Sequence, residues 1–175
     1  MPCTLTQGFT YECDDSTGGI ASGEVYISEW SNITDYTVVD GEITAITQVA
    51  LSNFFKYEVK KEIADAVTTE NHDPINQTLF YETVLNLTLN KLSKEKNVEL
   101  KLLASTQLAI IYKDNNGKFF GMGFSNGAEK FGGTNQSATG KAFGDMNGYT
   151  LGFTSKEVDA PYEVDATVVA GLITA

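Results

Sequence analysis

Apolar and polar residues alternate along most of this chain, which is the pattern of β-strands that bury one face. From Asn53 to Asp65, for example, Phe55, Tyr57 and Val59 share one face, while lysines and glutamates occupy the other. The alternation predicts strands at 4–12, 24–30, 38–39, 42–49, 53–65, 107–113, 118–124, 149–155 and 161–165. The apolar tail 164–173 is predicted to add one more strand. The chain is therefore predicted to be mainly β.

Asp-Gly and Asn-Gly pairs mark the turns between these strands. Asp40-Gly41 and Asn116-Gly117 lie between apolar runs and predict β-hairpins, because a type I′ turn needs two residues at positive φ. Asn147-Gly148 precedes the strand that begins at 149. Loops are predicted at 68–76, which contains a proline, and in the Gly-rich stretch 125–140.

The segment from Thr78 to Lys91 has two interpretations. Its leucines recur with a period of two, which favours a strand, but leucine is also a good helix former. The next segment is clearer, because Ser93 is a suitable N-cap for one short α-helix at about 93–105. The predicted fold is two packed antiparallel sheets, a sandwich or barrel, with that one helix in a single domain over 1–175.

The charge balance excludes one class of function. Twelve lysines face 23 acidic residues, the net charge is −11, and arginine is absent. Arginine is the usual reader of phosphates and guanine edges, so sequence-specific nucleic-acid binding is not expected. The acidic surface either keeps the protein soluble or forms a wall along which nucleic acid passes without sticking. No apolar run is long enough to span a membrane, and without a signal-like N-terminus we expect folding in a cytoplasm.

Residues for catalysis are scarce. His72, the only histidine, lies in a polar segment and is expected to be solvated. Cys3 and Cys13 could pair or remain free thiols, and the acidic neighbours of Cys13, Asp14 and Asp15, disfavour a reactive thiolate. We therefore expect no catalytic residues, no cofactor and no enzymatic activity.

Metal and phosphate motifs are equally weak. The segments 114–117 and 145–148 resemble fragments of calcium loops but lack the bidentate glutamate, so turns are expected instead. Gly121-Met122-Gly123 is not followed by the helix start of a phosphate loop. Two acidic groups could bind a divalent ion weakly, but solvated loops are expected instead; they are Asp14-Asp15 and the group Glu157, Asp159, Glu163 and Asp165. No metal site is predicted.

The second half of the chain carries a family resemblance. It runs through the Asp-Asn-Asn-Gly turn at 114–117, a strand with Gly-x-Gly at 121–123, and Asn-Gly-Ala-Glu at 126–129. Thr-Gly-Lys-Ala follows at 139–142, and Asp-x-Asn-Gly-Tyr-Thr-Leu at 145–151. This order of elements, over residues 42–165, resembles the structural proteins of tailed bacteriophages and is most similar to major tail tube proteins.

The resemblance implies a virion protein, assembled in the cytoplasm of the host bacterium, with two β-sheets and one helix. It implies partners among other virion proteins and hexameric rings of its own copies, stacked into a tube that conducts DNA. Segments 66–78 and 125–140 are the candidates for assembly arms between subunits. A head decoration or connector protein is an alternative, and so is a carbohydrate-binding β module whose Trp30 stacks on sugars.

Overall fold

The computed structural model describes residues 8–9, 16–131 and 135–173 of the chain. It is mainly β, with 51% strand and 13% helix, which confirms the predicted class. Cys3, Cys13 and the pair Asp14-Asp15 lie outside the described residues, as does the predicted first strand 4–12 except for Gly8 and Phe9.

The described chain has twelve strands, two α-helices and one short 3-10 helix at Trp30–Asn32. The strands are β1 (Ile20–Glu29), β2 (Ile33–Val39), β3 (Glu42–Gln48), β4 (Phe55–Tyr57), β5 (Ala64–Asp73), β6 (Thr78–Asn90), β7 (Leu108–Asp114), β8 (Phe119–Met122), β9 (Ala128–Lys130), β10 (Gln136–Ala138), β11 (Gly148–Glu157) and β12 (Tyr162–Val164). The helices are α1 (Lys94–Leu103) and α2 (Ala166–Leu172).

Hydrogen bonds join these strands into one mixed sheet. Its order is β2-β3-β12-β8-β7-β9-β11-β6-β5, with β1 on β7, β4 on β1 and β10 on β11. The pair β3–β12 is parallel and the other pairs are antiparallel. Short strand β9 gives the sheet its continuity, because it pairs with β7 at Leu108 and with β11 at Phe153. The structure therefore has a single connected mixed sheet where two antiparallel sheets were predicted.

Both predicted hairpins are confirmed, but their turns differ. In the β2–β3 turn, Asp40 has φ 51° and Gly41 has φ 88°, as a type I′ turn requires. In the β7–β8 turn only Gly117 has a positive φ, of 91°, so the predicted type I′ turn was wrong there. The reason is local, since the Asp114 carboxylate accepts hydrogen bonds from the amides of Asn116 and Lys118 and holds a longer turn.

The region from 53 to 90 differs most from its prediction. The expected strand 53–65 is reduced to β4, because Val59 turns into the core and Glu62 adopts a φ of 63°. The expected loop 68–76 is mostly strand β5, which forms a long hairpin with β6. Strand β6 confirms the strand interpretation of 78–91 and pairs over ten residues with β5 and over ten with β11.

The helices confirm one prediction and overturn another. Helix α1 begins after Ser93, whose hydroxyl accepts a hydrogen bond from the amide of Lys96, as predicted. The tail 164–173 is helix α2 and not a strand, so the described chain has two helices and not one. Asp165 caps α2 by accepting from the amide of Thr167, and Val169 and Leu172, three residues apart, are buried.

The core has two clusters that meet at strands β1 and β7. Alternate residues of both strands point to opposite clusters. The first cluster contains Val25 and Ile110 with side chains from β6 and β11, among them Leu85 and Phe153. The second contains Tyr26 and Ile111 with side chains from β3, β12 and α2, among them Ile43, Val164 and Val169. In the described part of the chain, no helix has the length and apolar character needed to cross a membrane.

Candidate functional site

Strand β5 offers a long free edge. It pairs with β6 through ten consecutive residues, from Ala64 opposite Leu87 to Asp73 opposite Thr78, with no bulge, and within the described chain its other edge has no strand partner. Its sequence contains neither lysine nor proline. Soluble proteins usually protect edge strands with lysine, proline or a bulge, so an edge without them is open to pairing with another strand.

The outer half of the β5–β6 hairpin is exposed and ends in an ordered turn. The Asp73 carboxylate accepts hydrogen bonds from the amides of Asn76 and Ile75, and these bonds hold the pKa of Asp73 below its ordinary value. Ile75 is 90% exposed at the tip, and Val67 and Leu79 are about half exposed on the strands. The hairpin thus presents apolar side chains to solvent.

A groove lined by lysines lies at the other end of β6. Lys56, Lys60 and Lys96 line it with Glu58 as its one carboxylate, and its volume is about 790 Å³. We call it the lysine groove. Lys96 is held in place, since its ammonium donates to the carbonyl oxygens of Asn90 at 2.6 Å and Lys91 at 3.0 Å. Lys56 and Lys60 are exposed.

The lysine groove reflects a segregation of charge along the chain. Segments 56–62 and 91–101 hold seven lysines and four carboxylates, whereas the rest of the chain holds five lysines and nineteen carboxylates. The hairpin segment 64–90 between them has four carboxylates and no lysine. The sequence carried this signal, but a net charge summed over the whole chain concealed it.

Of the residues considered for catalysis or for sugar binding, the described chain contains His72 and Trp30. His72 is exposed on edge strand β5, opposite Leu79 of β6. Trp30 is half-buried, and its indole Nε1 donates to the carbonyl of Phe124 at 2.9 Å, which fixes the ring against the body of the protein. Cys13 lies outside the described residues.

The two Asp-x-Asn-Gly turns have structural contacts, as predicted. Asn116 exchanges two hydrogen bonds with the backbone of Thr17, accepting from its amide at 2.8 Å and donating to its carbonyl at 3.0 Å. Asp145 accepts from the amides of Ala142 and Lys141, and these bonds hold the pKa of Asp145 below its ordinary value. Asn147 accepts from the amide of Leu92.

The acidic group 157–165 is divided among separate tasks and does not form a cluster. Asp165 caps α2, Glu163 forms an ion pair with Lys118 at 2.9 Å, and Asp159 accepts a hydrogen bond from Tyr162. Glu157 is buried, although the sequence analysis expected a solvated loop. In residues 16–131 and 135–173, no three metal-ligating side chains come together.

Glu157 organises the passage from β8 to β9. Its carboxylate accepts three hydrogen bonds of 2.9 Å, from the amide of Gly123 and from the amide and hydroxyl of Ser125. Gly123 has φ 77°, and a Cβ there would lie 2.5 Å from the carbonyl oxygen of Leu108. Nothing in the apolar pattern of β11 marks its last residue as a buried carboxylate, so sequence reasoning missed it.

The Gly-rich stretch 125–140 is partly built into the sheet. Its β9 pairs with β11 at 153–155 and its β10 pairs with β11 at 148–150. The loop that follows displays Phe143, which is fully exposed. Of the two predicted assembly arms, 66–78 is therefore the one that forms a long exposed hairpin, and an assembly role for either stays a prediction.

Comparison with protein-family models, with curated protein sequences and with solved structures finds no match to this chain.

Proposed function

We propose that this protein is a self-assembling structural protein of a virion, and that its copies form the stacked rings of a phage tail tube that conducts DNA. The role is structural and not catalytic. The observation that carries the proposal is the edge of β5, which is ten residues long, has no partner strand among the described residues and lacks lysine, proline and a bulge, its charged residues being Asp65, Glu70 and Asp73. Such an edge is an aggregation hazard in a monomer and an assembly surface in an oligomer.

A second edge completes the requirement for a ring. The main path of the sheet ends on its other side at β2, which pairs only with β3 among the described strands and lacks lysine and proline, although the register of that pairing shifts at two points. A contact between two different edges of neighbouring copies is heterologous, and heterologous contacts close into rings or grow into filaments. The free edges of this sheet therefore support cyclic assembly.

We propose that the strands of each subunit pack as a two-layer sandwich. Side chains of β1 and β7 share a core cluster with those of β6 and β11, which supports two packed layers within the connected sheet. The acidic balance supports passage of DNA, because a negative wall repels the phosphate backbone. A head decoration or connector protein, also with self-assembling edges, is the alternative within the same class.

Electron microscopy of the purified protein tests the proposal. We expect rings or tubes with a central channel, and a molecular mass in solution that is a multiple of the 19.0 kDa subunit. A protein that stays monomeric at high concentration contradicts the proposal. A protein that remains monomeric alone but adds to preformed capsids would instead favour the decoration protein.

An edge variant links assembly to β5. Val67→Lys places a charge on the exposed β5 and should abolish assembly while leaving the subunit folded. Val98→Lys is the matched control, because Val98 is similarly exposed but lies on helix α1. Equal assembly of both variants would exclude β5 as the pairing edge.

A further inference from the structure

We infer that the lysine groove is the docking surface for the acidic tip of the β5–β6 hairpin of a second copy, so that copies associate head to tail along the direction of β6. This inference rests on the proposed self-assembly and names the surface that gives it direction. The charged side chains on which this docking depends are not required for pairing along the edge of β5.

The two ends of β6 carry opposite charge. The strand begins at Thr78, beside a tip that carries Glu70 and Asp73, and ends at Asn90, in the wall of the lysine groove. Twelve residue steps of about 3.3 Å separate these ends by roughly 40 Å. This distance is several Debye lengths at physiological salt, about 8 Å each, so the ends act as separate charged surfaces.

A third carboxylate strengthens the acidic tip. Asp159 comes from the loop after β11 and lies close enough to Tyr81 to contribute, after Glu70 and burial, to raising the pKa of that phenol. Glu70 accepts a hydrogen bond from Tyr81 on the neighbouring strand at 3.3 Å. The tip therefore combines Glu70, Asp73 and Asp159 with the exposed side chain of Ile75, while the ammonium of Lys156, which lies over the ring of Phe80, is paired with Glu82 at 3.6 Å.

The lysine groove is rigid enough to receive such a tip. The buried side chain of Val59 anchors the segment between Lys56 and Lys60. Its carbonyl accepts hydrogen bonds from the amide of Gly23 at 2.9 Å and from the hydroxyl of Ser22 at 3.1 Å. Because the backbone is fixed, the two lysines project without an ordering cost to the main chain.

Charge favours a second copy over nucleic acid as the occupant. Outside segments 56–62 and 91–101 the chain has nineteen carboxylates and five lysines, so a DNA segment reaching the groove would pass a strongly repelling surface. The acidic hairpin of another copy is present at the same concentration as the groove. Its tip also supplies an apolar side chain, which phosphate does not.

Charge reversal of each surface tests the inference. Lys56→Glu/Lys60→Glu reverses the groove and spares Lys96, which binds carbonyl oxygens. Gln77→Lys/Thr78→Lys/Asp159→Lys places three lysines against Glu70 and Asp73 at the tip and adds none to the edge strand β5. We expect each variant alone to assemble at least tenfold less well than the wild type in analytical ultracentrifugation, with both subunits folded by circular dichroism.

Complementation gives the decisive readout. A one-to-one mixture of the two variants should assemble again, because each acidic surface then meets a basic one on the other chain. The matched control is Lys101→Glu/Lys141→Glu, which changes the net charge equally at two exposed lysines that do not line the groove and should assemble like the wild type. A mixture that does not assemble, or a control as impaired as the groove variant, overturns the inference.

The outcomes separate this inference from the proposed function. If the wild type assembles and the groove variant assembles equally well, only the head-to-tail docking is wrong. If the wild type forms no oligomer at any salt concentration, the self-assembly itself is wrong. Binding of fluorescent duplex DNA that depends on Lys56 and Lys60, with assembly unchanged, would assign the groove to nucleic acid and also overturn the inference.

Discussion

The buried carboxylate of Glu157 and the residue Ser125 are joined by two hydrogen bonds, from the serine amide and from its hydroxyl, both 2.9 Å long. A third bond, from Gly123, completes the set. These bonds tie the end of β11 to the bend between β8 and β9. Strand β8 pairs with β12, and strand β9 pairs with β11. This contact fixes the backbone that leads into β9, the strand that joins β7 to β11.

Glu157→Gln is expected to destabilise the fold. The amide nitrogen of glutamine would face an N–H donor, so at least one charge-assisted hydrogen bond is lost and a buried donor is left unpaired. The expected loss in the free energy of unfolding is about 2 kcal/mol, measured by urea denaturation. Glu129→Gln is the matched control, since Glu129 is exposed on β9 and should change stability by less than about 0.5 kcal/mol. Equal stability of the two variants would contradict the role given to Glu157.

Gly148→Ala tests the close approach of β11 to β6. A Cβ at Gly148 would lie 2.2 Å from the carbonyl oxygen of Leu89, so one of two paired strands must shift. We expect a loss of about 1–3 kcal/mol in the free energy of unfolding. Gly144→Ala is the control, because no atom lies within 4 Å of its Cβ position. Thermal unfolding curves that coincide for both variants would show that β11 moves freely.

Stability is expected to fall in alkali because of buried tyrosines. Burial, with a smaller contribution from Asp114, raises the pKa of Tyr112 to about 12 from its ordinary value of 10.0. Between these values the unfolded chain loses the phenolic proton and the folded chain keeps it. The folded state is therefore favoured fully below pH 10, and this contribution is lost as the pH rises towards about 12.

Tyr112→Phe should remove that part of the pH dependence. The free energy of unfolding of the wild type should fall more steeply than that of the variant between about pH 9 and pH 12, by up to about 2–3 kcal/mol. Comparing each protein with itself at two pH values cancels the packing effect of the missing hydroxyl. Parallel curves for the two proteins would show that Tyr112 ionises equally in both states.

Asn116→Ala is expected to release the segment before β1. The Asn116 side chain accepts from the amide of Thr17 and donates to its carbonyl, while Asn115 donates to the carbonyl of Gly18. Hydrogen exchange at the Thr17 amide should accelerate roughly tenfold, with the stability of the core unchanged. Asn71→Ala, which removes an exposed side-chain bond elsewhere, should leave this amide unaffected. Unchanged exchange in Asn116→Ala would show that the backbone alone holds the segment.

Several elements followed directly from the sequence. The β2–β3 hairpin, the strand β6 and the helix α1 were predicted because their signals are local: an Asp-Gly turn, a period of two, and a serine N-cap. The tail 164–173 was wrongly predicted to be a strand. It does carry a local signal for a helix, because Asp165 is a suitable N-cap and apolar residues three positions apart follow it. The strand prediction rested on the apolar character of the tail alone.

Strand β5 illustrates what no local signal indicates. Its sequence, with threonines, an asparagine and a histidine, lacks an apolar alternation, and it is a strand because β6 pairs with it over ten residues. The lysine groove likewise joins Lys56 and Lys60 with Lys96 of helix α1. Its lysines were visible in the sequence, but their proximity was not.

The residue pattern thus determined that the chain is mainly β and where most strands, two hairpin turns and one helix lie, because these depend on neighbours a few positions apart. The tertiary structure decided which strand edges stay free, that Glu157 is buried, and that the two ends of β6 carry opposite charge. Those features depend on contacts between residues far apart in the chain, such as Glu157 with Gly123, and on pairings that alternation alone does not specify.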